Sequence, residues 1–260
     1  MIQSLSSQLS LSQPANNHSH GKLYLFPNTL GIQTKQAWSY VIPQDVCDLI
    51  TSCSYILAEN AKAARAYLKA LNITQPLMDI VIKEICSDLS LNIIDDLLKP
   101  IQAGADAGLV SDAGCPAIAD PGANIVRRAH ECGIQVIPLV GPSAILLALI
   151  ASGLNGQNFA FNGYLPIKEN ARQQSILHFY RRSKLERQTQ IFIETPYRNE
   201  ALLNALLTTL PDETRLVVAV DLTLNHEKII HQTVKTWQKN IRRNQNFELN
   251  RRPAIFMFLA

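Results

Sequence analysis

The sequence has little cysteine, and none of it lies in a metal-binding pattern. The 260 residues include five cysteines, which form no CxxC pair and no Cys/His cluster with the spacing of metal ligands. We therefore expect no metal, and reduced thiols as in a cytoplasmic protein. The cysteines are Cys47, Cys53, Cys86, Cys115 and Cys132.

Long apolar runs and the common nucleotide-binding fingerprints are also missing. The longest apolar run, residues 144–151, is far shorter than a membrane span. The N-terminus lacks the basic start and apolar core of a secretory signal, so we expect no membrane partner. Neither GxGxxG nor GxxxxGKS/T occurs, so the sequence gives no indication of a dinucleotide-binding fold or of a P-loop.

Charge of one sign is not in large excess. With 24 basic and 21 acidic residues the net charge is +3, which argues against a protein that coats polyanions but allows local basic patches. Residues 242–252 are rich in arginine, and a predicted helix at residues 170–184 with its flanks is basic. This helix fits either a solvated face or a nucleic-acid surface. Its basic residues are Lys168, Arg172, Arg181, Arg182, Lys184 and Arg187.

The sequence does contain a repeated strand–loop–helix pattern, which is clearest at residues 104–142. Apolar runs at residues 108–110 and 135–140 flank one helical segment, and turn-forming residues soon follow each run. Repeated βα units predict an α/β fold with mainly parallel sheets. Ligands of such folds bind beyond the carboxyl ends of the strands, where both of these loops would lie.

A connection rich in Gly and Asn at residues 153–158 divides the pattern, so we predict two α/β domains. The first covers residues 22–154 and the second residues 155–260. They follow a polar tail at residues 1–21, which has no sustained period and is predicted to be disordered. In the second half we predict strands at residues 159–161, 189–193, 215–221 and 254–259, and a further strand within residues 231–237.

The loop at residues 111–122 is the first candidate for chemistry, because it follows a strand and is rich in small residues. Small residues let the backbone approach a ligand closely, and an aspartate there could take up a ribose or an amine of a nucleotide-like ligand. Alternatively, Asp112 and Asp120 could only satisfy backbone amides of a rigid turn. The spacing favours neither alternative.

Two further carboxylates follow predicted strands. Glu59 comes directly after the second strand and fits a base, an orienting carboxylate or a first-turn residue that favours a helix N-terminus. Glu194 occupies a similar position in the second half, with Arg198 four residues later. These two residues fit either a functional pair or an ion pair that only shapes the loop.

Several short motifs occur in a characteristic order along the chain. They are LVSDAGCP (109–116), DPG (120–122), VGPSA (140–144), ASGL (151–154), GYLP (163–166) and ETPYR (194–198). Together they resemble the tetrapyrrole methylase family of S-adenosylmethionine-dependent methyltransferases, from about residue 23 to residue 258. Within this family the chain is most similar to the bacterial branch that methylates a cytidine ribose 2′-hydroxyl in small-subunit ribosomal RNA.

The resemblance implies two α/β domains, a homodimer, and S-adenosylmethionine bound in the cleft between the domains, with S-adenosylhomocysteine as the product. It also implies which residues contact the cofactor. They are Asp112, Ala113, Gly114, Ile118, Ser143 and Ala144 in the first domain, and Ile193, Pro253 and Ala254 in the second.

The chain departs from the ribosomal RNA branch at positions that would face the substrate. The branch carries Pro-Thr-Pro-Ile-Gly-Asn in its first loop, where this chain has PNTLGI at residues 27–32. It carries Glu-Asp-Thr-Arg after the second strand, where this chain has ENAK at residues 59–62, and a His-rich segment where residues 79–88 have no histidine. Because the cofactor motifs are retained, the chain resembles a divergent sub-branch.

Three functions remain open: methylation of a ribose in ribosomal RNA, methylation of a small molecule such as a tetrapyrrole, and cofactor binding without catalysis. The tetrapyrrole enzymes open with a Gly-Xaa-Gly-Pro-Gly loop that is absent here, which ranks the second function below the first. The altered ENAK segment keeps the third open. For ribose methylation, the candidate bases are Glu59, Glu194 and Lys62, with Arg198 anchoring a phosphate or orienting Glu194.

Overall fold

The computed structural model of the protein describes residues 20–31, 38–71, 73, 76–243 and 248–260. The predicted disordered tail lies outside these residues except for its last two positions. The end of the PNTLGI segment and part of the basic segment at residues 242–252 also lie outside them. No candidate site residue is affected.

The first half of the chain forms a sheet whose strands are β1 (Lys22–Phe26), β2 (Tyr55–Ala58), β3 (Val81–Glu84), β4 (Ala107–Val110) and β5 (Gln135–Pro138). The strands are all parallel and lie in the order β3-β2-β4-β1-β5. Every residue of β2 and β4 is buried, as expected for parallel strands with helices on both faces.

Helices cover both faces of this sheet. One face packs against two helices through a cluster that includes Leu57, Leu98 and Ile125, and the other through a cluster that includes Ile50 and Leu68. The helices of this half are α1 (Trp38–Val41), α2 (Gln44–Ser52), α3 (Ala61–Ala70), α4 (Leu91–Gln102), α5 (Gly122–Glu131) and α6 (Ala144–Ser152). Of these, α4 and α5 carry the first cluster, and α2 and α3 carry the second.

The second half forms a sheet whose strands are β6 (Phe159–Tyr164), β7 (Thr189–Ile193), β8 (Arg215–Val220), β9 (Lys228–Thr233) and β10 (Ala254–Leu259). They lie in the order β6-β7-β10-β8-β9. Only the β6–β7 pair is parallel within the part of the chain that the structure describes, and the other pairs are antiparallel.

The predicted mainly parallel pairing is therefore confirmed for the first sheet and does not hold for the second. One physical reason is the length of a connection. Residues 221–227 join β8 to β9, and parallel neighbours need a crossover of about a dozen residues or more. These two strands can therefore pair only as a hairpin.

The two faces of the second sheet pack against different partners. In β10 the side chains alternate: Phe256 and Phe258 join an outer cluster, whereas Ile255 and Met257 join an inner one. The outer cluster includes residues of the helices α7 (Glu169–Glu186), α8 (Asn199–Thr209) and α9 (Val234–Arg242). The inner cluster includes Leu30 and residues of α6, so the first half of the chain covers the inner face of the second sheet.

The strand predicted within residues 231–237 is present only in residues 231–233, as the end of β9. β9 ends at Thr233, and the following residues begin α9. The Thr233 hydroxyl accepts a hydrogen bond from the Thr236 amide at 3.3 Å and so caps the helix. Trp237 lies on the buried side of this helix and donates from Nε1 to the Leu216 carbonyl at 3.0 Å.

The ends of the strands from both sheets meet at one place. β6, β7 and β8 run in the same direction, and β10 runs against β7 and β8, so its first residues lie beside their last ones. The sheets separate at residues 153–158, where the sequence predicts the domain boundary. That each half is an independent domain stays a prediction.

Candidate functional site

Loops from both sheets line a cavity of about 390 Å³. This volume is within the range of small-molecule sites. All nine residues predicted to contact a cofactor line the cavity, as do the candidate bases Glu59 and Glu194. Lys62 and Arg198 are not among its lining residues. The exposed side chain of Lys62 lies in the first turn of α3.

The loop after β4 approaches the cavity in an unusual backbone conformation. Gly114 has φ +68°, and a Cβ built there would lie 3.1 Å from Leu30 Cδ2 and 3.4 Å from the Pro142 carbonyl oxygen. Ala117 and Ala119 also have positive φ values, of 65° and 60°. Left-handed backbone at residues other than glycine costs about 1–3 kcal/mol each and is concentrated at functional sites. The loop is therefore a candidate ligand clamp.

Asp120 holds this loop in place. Its carboxylate accepts hydrogen bonds from the Gly122 amide at 2.7 Å and from the Ala117 amide at 2.9 and 3.0 Å. Burial raises the pKa of the Asp120 carboxyl, and the two amides lower it. For Asp120 the structure thus favours the alternative of a residue that satisfies turn amides. Asp112 differs because its side chain is exposed at the cavity.

Asn28, in the loop after β1, braces the same loop from the other side. Its buried side-chain amide donates to the carbonyls of Ser111 at 2.9 Å and Asp112 at 3.1 Å, and its Oδ1 accepts from the Thr29 amide at 2.8 Å. Backbone hydrogen bonds between residues 28–29 and Gly114 run alongside. The first loop therefore fixes the wall that the cofactor would contact.

The third wall element of the first half is the start of α6. Ser143 is the N-cap, and its hydroxyl accepts a hydrogen bond from the Leu146 amide at 3.4 Å. Ser143 and Ala144 both line the cavity. The free amides and positive dipole of a helix N-terminus therefore lie at the cavity wall.

Glu59 lies at the end of β2 with its carboxylate at the cavity wall. Its Oε1 accepts a hydrogen bond from the Asp112 amide at 3.3 Å. Burial raises the pKa of the Glu59 carboxyl, and the negative charges of Asp120 and Asp112 raise it further, while the Asp112 amide lowers it. A carboxylate with a raised pKa is a stronger base than an ordinary one.

Glu194 and Arg198 form the loop-shaping ion pair. Arg198 donates to Glu194 Oε1 from its terminal nitrogen at 2.6 Å and from Nε at 3.0 Å, and the Thr195 amide donates to the same oxygen at 2.7 Å. The Glu194 side chain is only 2% exposed. A buried carboxylate oxygen that already accepts three hydrogen bonds is a poorer candidate for a base than Glu59.

A second ion pair fixes the opposite wall. Arg252 donates from Nε to Asp221 Oδ2 at 2.8 Å and from a terminal nitrogen to the His226 carbonyl at 2.8 Å. The Asp221 amide donates to the Pro253 carbonyl at 3.0 Å. Asp221 has φ +50°, so this turn is also held in left-handed backbone. The Arg252–Asp221 ion pair and the Asp221–Pro253 hydrogen bond position the backbone of Pro253 and Ala254, which is predicted to close over the cofactor.

Several residues of the site were not singled out from the sequence. Leu30 and Leu222 supply apolar wall, Phe161 and Tyr164 lie on the β6 side, and Asn28 acts from behind the wall. Tyr164 stood in a recognised motif directly after a predicted strand, so the strand-end rule could have found it. Asn28 offered no signal, because its partners are more than eighty residues away.

The charged and apolar side chains that line this cavity suit S-adenosylmethionine. Carboxylates of Glu59 and Asp112 complement the positive sulfonium and amino groups, and no side chain of Lys or Arg is among the described lining residues. Ile118, Ile145, Ile193 and Leu222 give apolar surface for an adenine ring. Gly114 leaves room that a side chain would fill. Among the described residues no group of His, Cys, Asp or Glu is arranged to hold a metal ion.

Residues 42–238 match the family described as Tetrapyrrole (Corrin/Porphyrin) Methylases. This segment covers most of the chain, and the strand ends and cavity described above fall largely within it. The chain therefore belongs to the tetrapyrrole methylase family. None of the helices in the described ranges is long and apolar enough to cross a membrane.

Within the family, the chain is similar to bacterial proteins named Ribosomal RNA small subunit methyltransferase I. It is 42% identical to that of Synechocystis sp. over 141 residues, which are 54% of this chain and 49% of the relative. It is 31% identical to that of Escherichia coli O157:H7 over 217 residues, which are 84% of this chain and 70% of the relative. The first match thus spans about half of the relative's length.

Solved structures show the same fold at low sequence identity. A cobalt precorrin-4 methyltransferase from cobalamin biosynthesis superposes with a TM-score of 0.56 at 15% identity, over 95% of this chain and 98% of the other. A uroporphyrin-III-C-methyltransferase from Thermus thermophilus gives 0.52 at 15% identity, over 92% of each chain. These likenesses support the architecture and say nothing of the substrate.

Proposed function

We propose that the protein is an S-adenosylmethionine-dependent methyltransferase that methylates a ribose 2′-hydroxyl in ribosomal RNA. The observation that carries the proposal is the cavity where the strand ends of both sheets meet, with carboxylates and apolar side chains in its wall. The names of the relatives support ribosomal RNA as the substrate class. We also propose a homodimer in the cytoplasm.

The cofactor would be held by the loop after β4, the start of α6, and the second wall at Ile193, Pro253 and Ala254. When bound, S-adenosylmethionine supplies a methyl group on a positively charged sulfur. The strained loop and the two ion pairs hold the wall rigid before binding, and so align the reacting groups at little entropic cost. Leu30 and Leu222 help to keep water out of the cavity.

A ribose hydroxyl is a poor nucleophile near neutral pH, so the chain must supply a base or a polarising contact. We assign the base to Glu59, which lies at the cavity with a raised pKa. Arg198 orients Glu194, which shapes the β7 loop. Lys62, the remaining candidate base, is exposed in the first turn of α3 and does not line the cavity, so we rank it below Glu59.

The test begins with calorimetric titration of S-adenosylmethionine and S-adenosylhomocysteine into wild type and Asp112→Ala. We expect binding of both ligands, weakened at least tenfold in the variant, because Asp112 is exposed at the cavity and removing a charged partner costs about 1.5–3 kcal/mol. If folded wild type binds neither ligand, the proposed methyl transfer is wrong, and only the assignment of the fold remains valid.

The acceptor is tested with labelled S-adenosylmethionine and small ribosomal subunits from a strain that lacks the gene. A 2′-O-methylated ribose resists alkaline cleavage, so the label is expected in an alkali-stable dinucleotide. Binding to the subunits is expected to weaken steeply with salt, since the basic residues of α7 would contact phosphates. Label in a tetrapyrrole would support the small-molecule alternative, and cofactor binding without transfer to any acceptor would support a non-catalytic binding protein.

A further inference from the structure

Strand β6 contains a bulge beside the cavity. Phe161 pairs with Ile191 of β7, but the next registered pair is Tyr164 with Ile193. Three residues of β6 thus span the same length as two residues of β7. Gly163, which lies within this bulge, has φ +65°. Bulges of this kind are common next to active sites, where they redirect a side chain.

The bulge changes the face to which Tyr164 belongs. In a regular strand, two residues that are three positions apart point to opposite faces of the sheet. Here Phe161 and Tyr164 both line the cavity, because the extra residue of the bulge moves Tyr164 to the same face of the sheet as Phe161. A Cβ on Gly163 would meet no atom within 4 Å, so the glycine serves the backbone conformation and not a close contact.

Tyr164 presents its ring at the mouth of the cavity. Phe161 is partly buried in the inner cluster, whereas Tyr164 is 53% exposed. The Tyr164 hydroxyl makes no hydrogen bond with any residue that the structure describes. None of the residues proposed to hold the cofactor or to act as the base lies on β6. The ring of Tyr164 is therefore available to contact the acceptor.

The charges around the mouth favour a neutral planar group inside and phosphates outside. The acidic residues Glu59 and Asp112 at the cavity repel a phosphate, but not an uncharged base. Lys168, four residues after Tyr164, is exposed, and Arg172 follows in the first turn of α7; neither lines the cavity.

We propose that Tyr164 is the stacking platform for the base of the acceptor nucleotide, and that this nucleotide lies in an unpaired stretch of RNA. Exposed aromatic rings next to basic residues are the usual means of binding single-stranded nucleic acid, because every base has a stacking face. The proposal rests on RNA being the substrate of the same site.

The first test compares Tyr164→Leu with Tyr164→Phe in methyl transfer to unmethylated small ribosomal subunits. Since stacking on one aromatic residue changes affinity by roughly tenfold to a hundredfold, kcat/KM for subunits is expected to fall at least tenfold in Tyr164→Leu. The Phe variant keeps the ring and should recover most of this loss. Calorimetry should give the same cofactor Kd in both variants. Tyr40→Leu, at an 81% exposed tyrosine on α1, is the matched control and should resemble wild type.

A second measurement does not depend on turnover. In Tyr164→Trp, the indole fluorescence in excess of that of wild type, which already contains Trp38 and Trp237, is expected to be quenched when an unstructured cytidine 12-mer or the small subunit binds, because a stacked base quenches it. Tyr40→Trp should show no quenching. Quenching only at position 164 supports the platform, whereas no quenching at position 164, or equal signals at both positions, would overturn it.

The kinetic outcomes separate two kinds of failure. If wild type methylates the subunits and Tyr164→Leu does so equally well, the platform is wrong and the proposed function stands. The platform is also wrong if Tyr164→Phe is as impaired as Tyr164→Leu, because the hydroxyl and not the ring would then matter. If wild type binds the cofactor but methylates no RNA, the proposed function and the platform both fall.

Discussion

Glu59 differs from the other candidate bases in its surroundings. Burial and the nearby charges of Asp120 and Asp112 raise the pKa of its carboxyl, so at a given pH less of it is in the basic form than for an exposed glutamate. If it takes the proton from the acceptor, the single-turnover rate should rise with pH through this raised pKa. In Glu59→Gln the rate should fall by about 10²–10⁴ and this rise should disappear. A variant with wild-type rate and pH profile would exclude Glu59 as the base.

The same pKa shift gives a test that needs no activity. Because the pKa of Glu59 is higher in the folded chain than in the unfolded chain, the folded state holds this proton more tightly. Its contribution to stability is therefore present at low pH and is lost as pH rises through the folded pKa. In Glu59→Gln, urea unfolding at a series of pH values should lack this loss.

Asn28 supports the cofactor wall through three hydrogen bonds and touches no reacting group. We expect Asn28→Ala to lower the free energy of unfolding by about 1–3 kcal/mol, because buried polar groups lose their partner. It should also weaken S-adenosylhomocysteine binding, because the Asp112 carbonyl loses its brace. Thr233→Ala is the matched control: losing this helix cap costs about 0.5–2 kcal/mol. The control should leave the cofactor Kd unchanged, and equal affinity in both variants would contradict the positioning role.

The residue scale also shows the reach of sequence reasoning about the site. Asp112, Gly114 and Ser143 could be located because they lie in known motifs, the first two in the loop after a strand and the third immediately before a helix. Asn28 and Arg252 could not, because their roles depend on partners brought together only by folding. The contacts of the nine predicted cofactor residues with S-adenosylmethionine stay a prediction.

At the scale of single elements, Gly163 decides how β6 ends. Its φ of +65° would place a side chain in left-handed backbone, so we expect Gly163→Ala to cost about 1–2 kcal/mol of stability. Gly133 is a matched control, since it has φ +70° and open space around its Cβ position but follows α5, away from the cavity. Both alanine variants should be similarly destabilised in urea, and only Gly163→Ala should change kcat/KM for small subunits. Equal kinetic effects would show that the bulge has no special role.

Most elements could be predicted because each has its own local signal. β7 and β10 are apolar runs with clear ends, and they occur at the predicted residues. β3 was not predicted, since an edge strand of four residues with little burial has no usable pattern. The insertion of β10 between β7 and β8 could not be predicted either, because strand order depends on packing between distant segments.

At the scale of the whole molecule, α6 joins the two halves. It belongs to the first half in sequence, yet Ala148 and Leu149 pack into the inner cluster of the second sheet. Leu30 enters the same cluster from the loop after β1. The cavity walls are therefore held together by apolar packing directly behind the site, so motion between the halves would change the cavity itself.

This packing predicts how fragments of the chain behave. Without α6, fragment 155–260 would expose Ile191, Val217, Ile255 and Met257, which are buried in the whole chain. Each buried apolar side chain contributes about 1.5–3 kcal/mol, so their combined loss is comparable to the stability of a typical domain, about 5–15 kcal/mol. We expect fragment 155–260 to bind an apolar dye and to unfold without a cooperative transition in urea. Fragment 140–260, which keeps α6, should bind less dye and unfold more cooperatively. Cooperative unfolding of fragment 155–260 without dye binding would instead mean that the second sheet folds alone and that the predicted boundary at residue 154 separates independent domains.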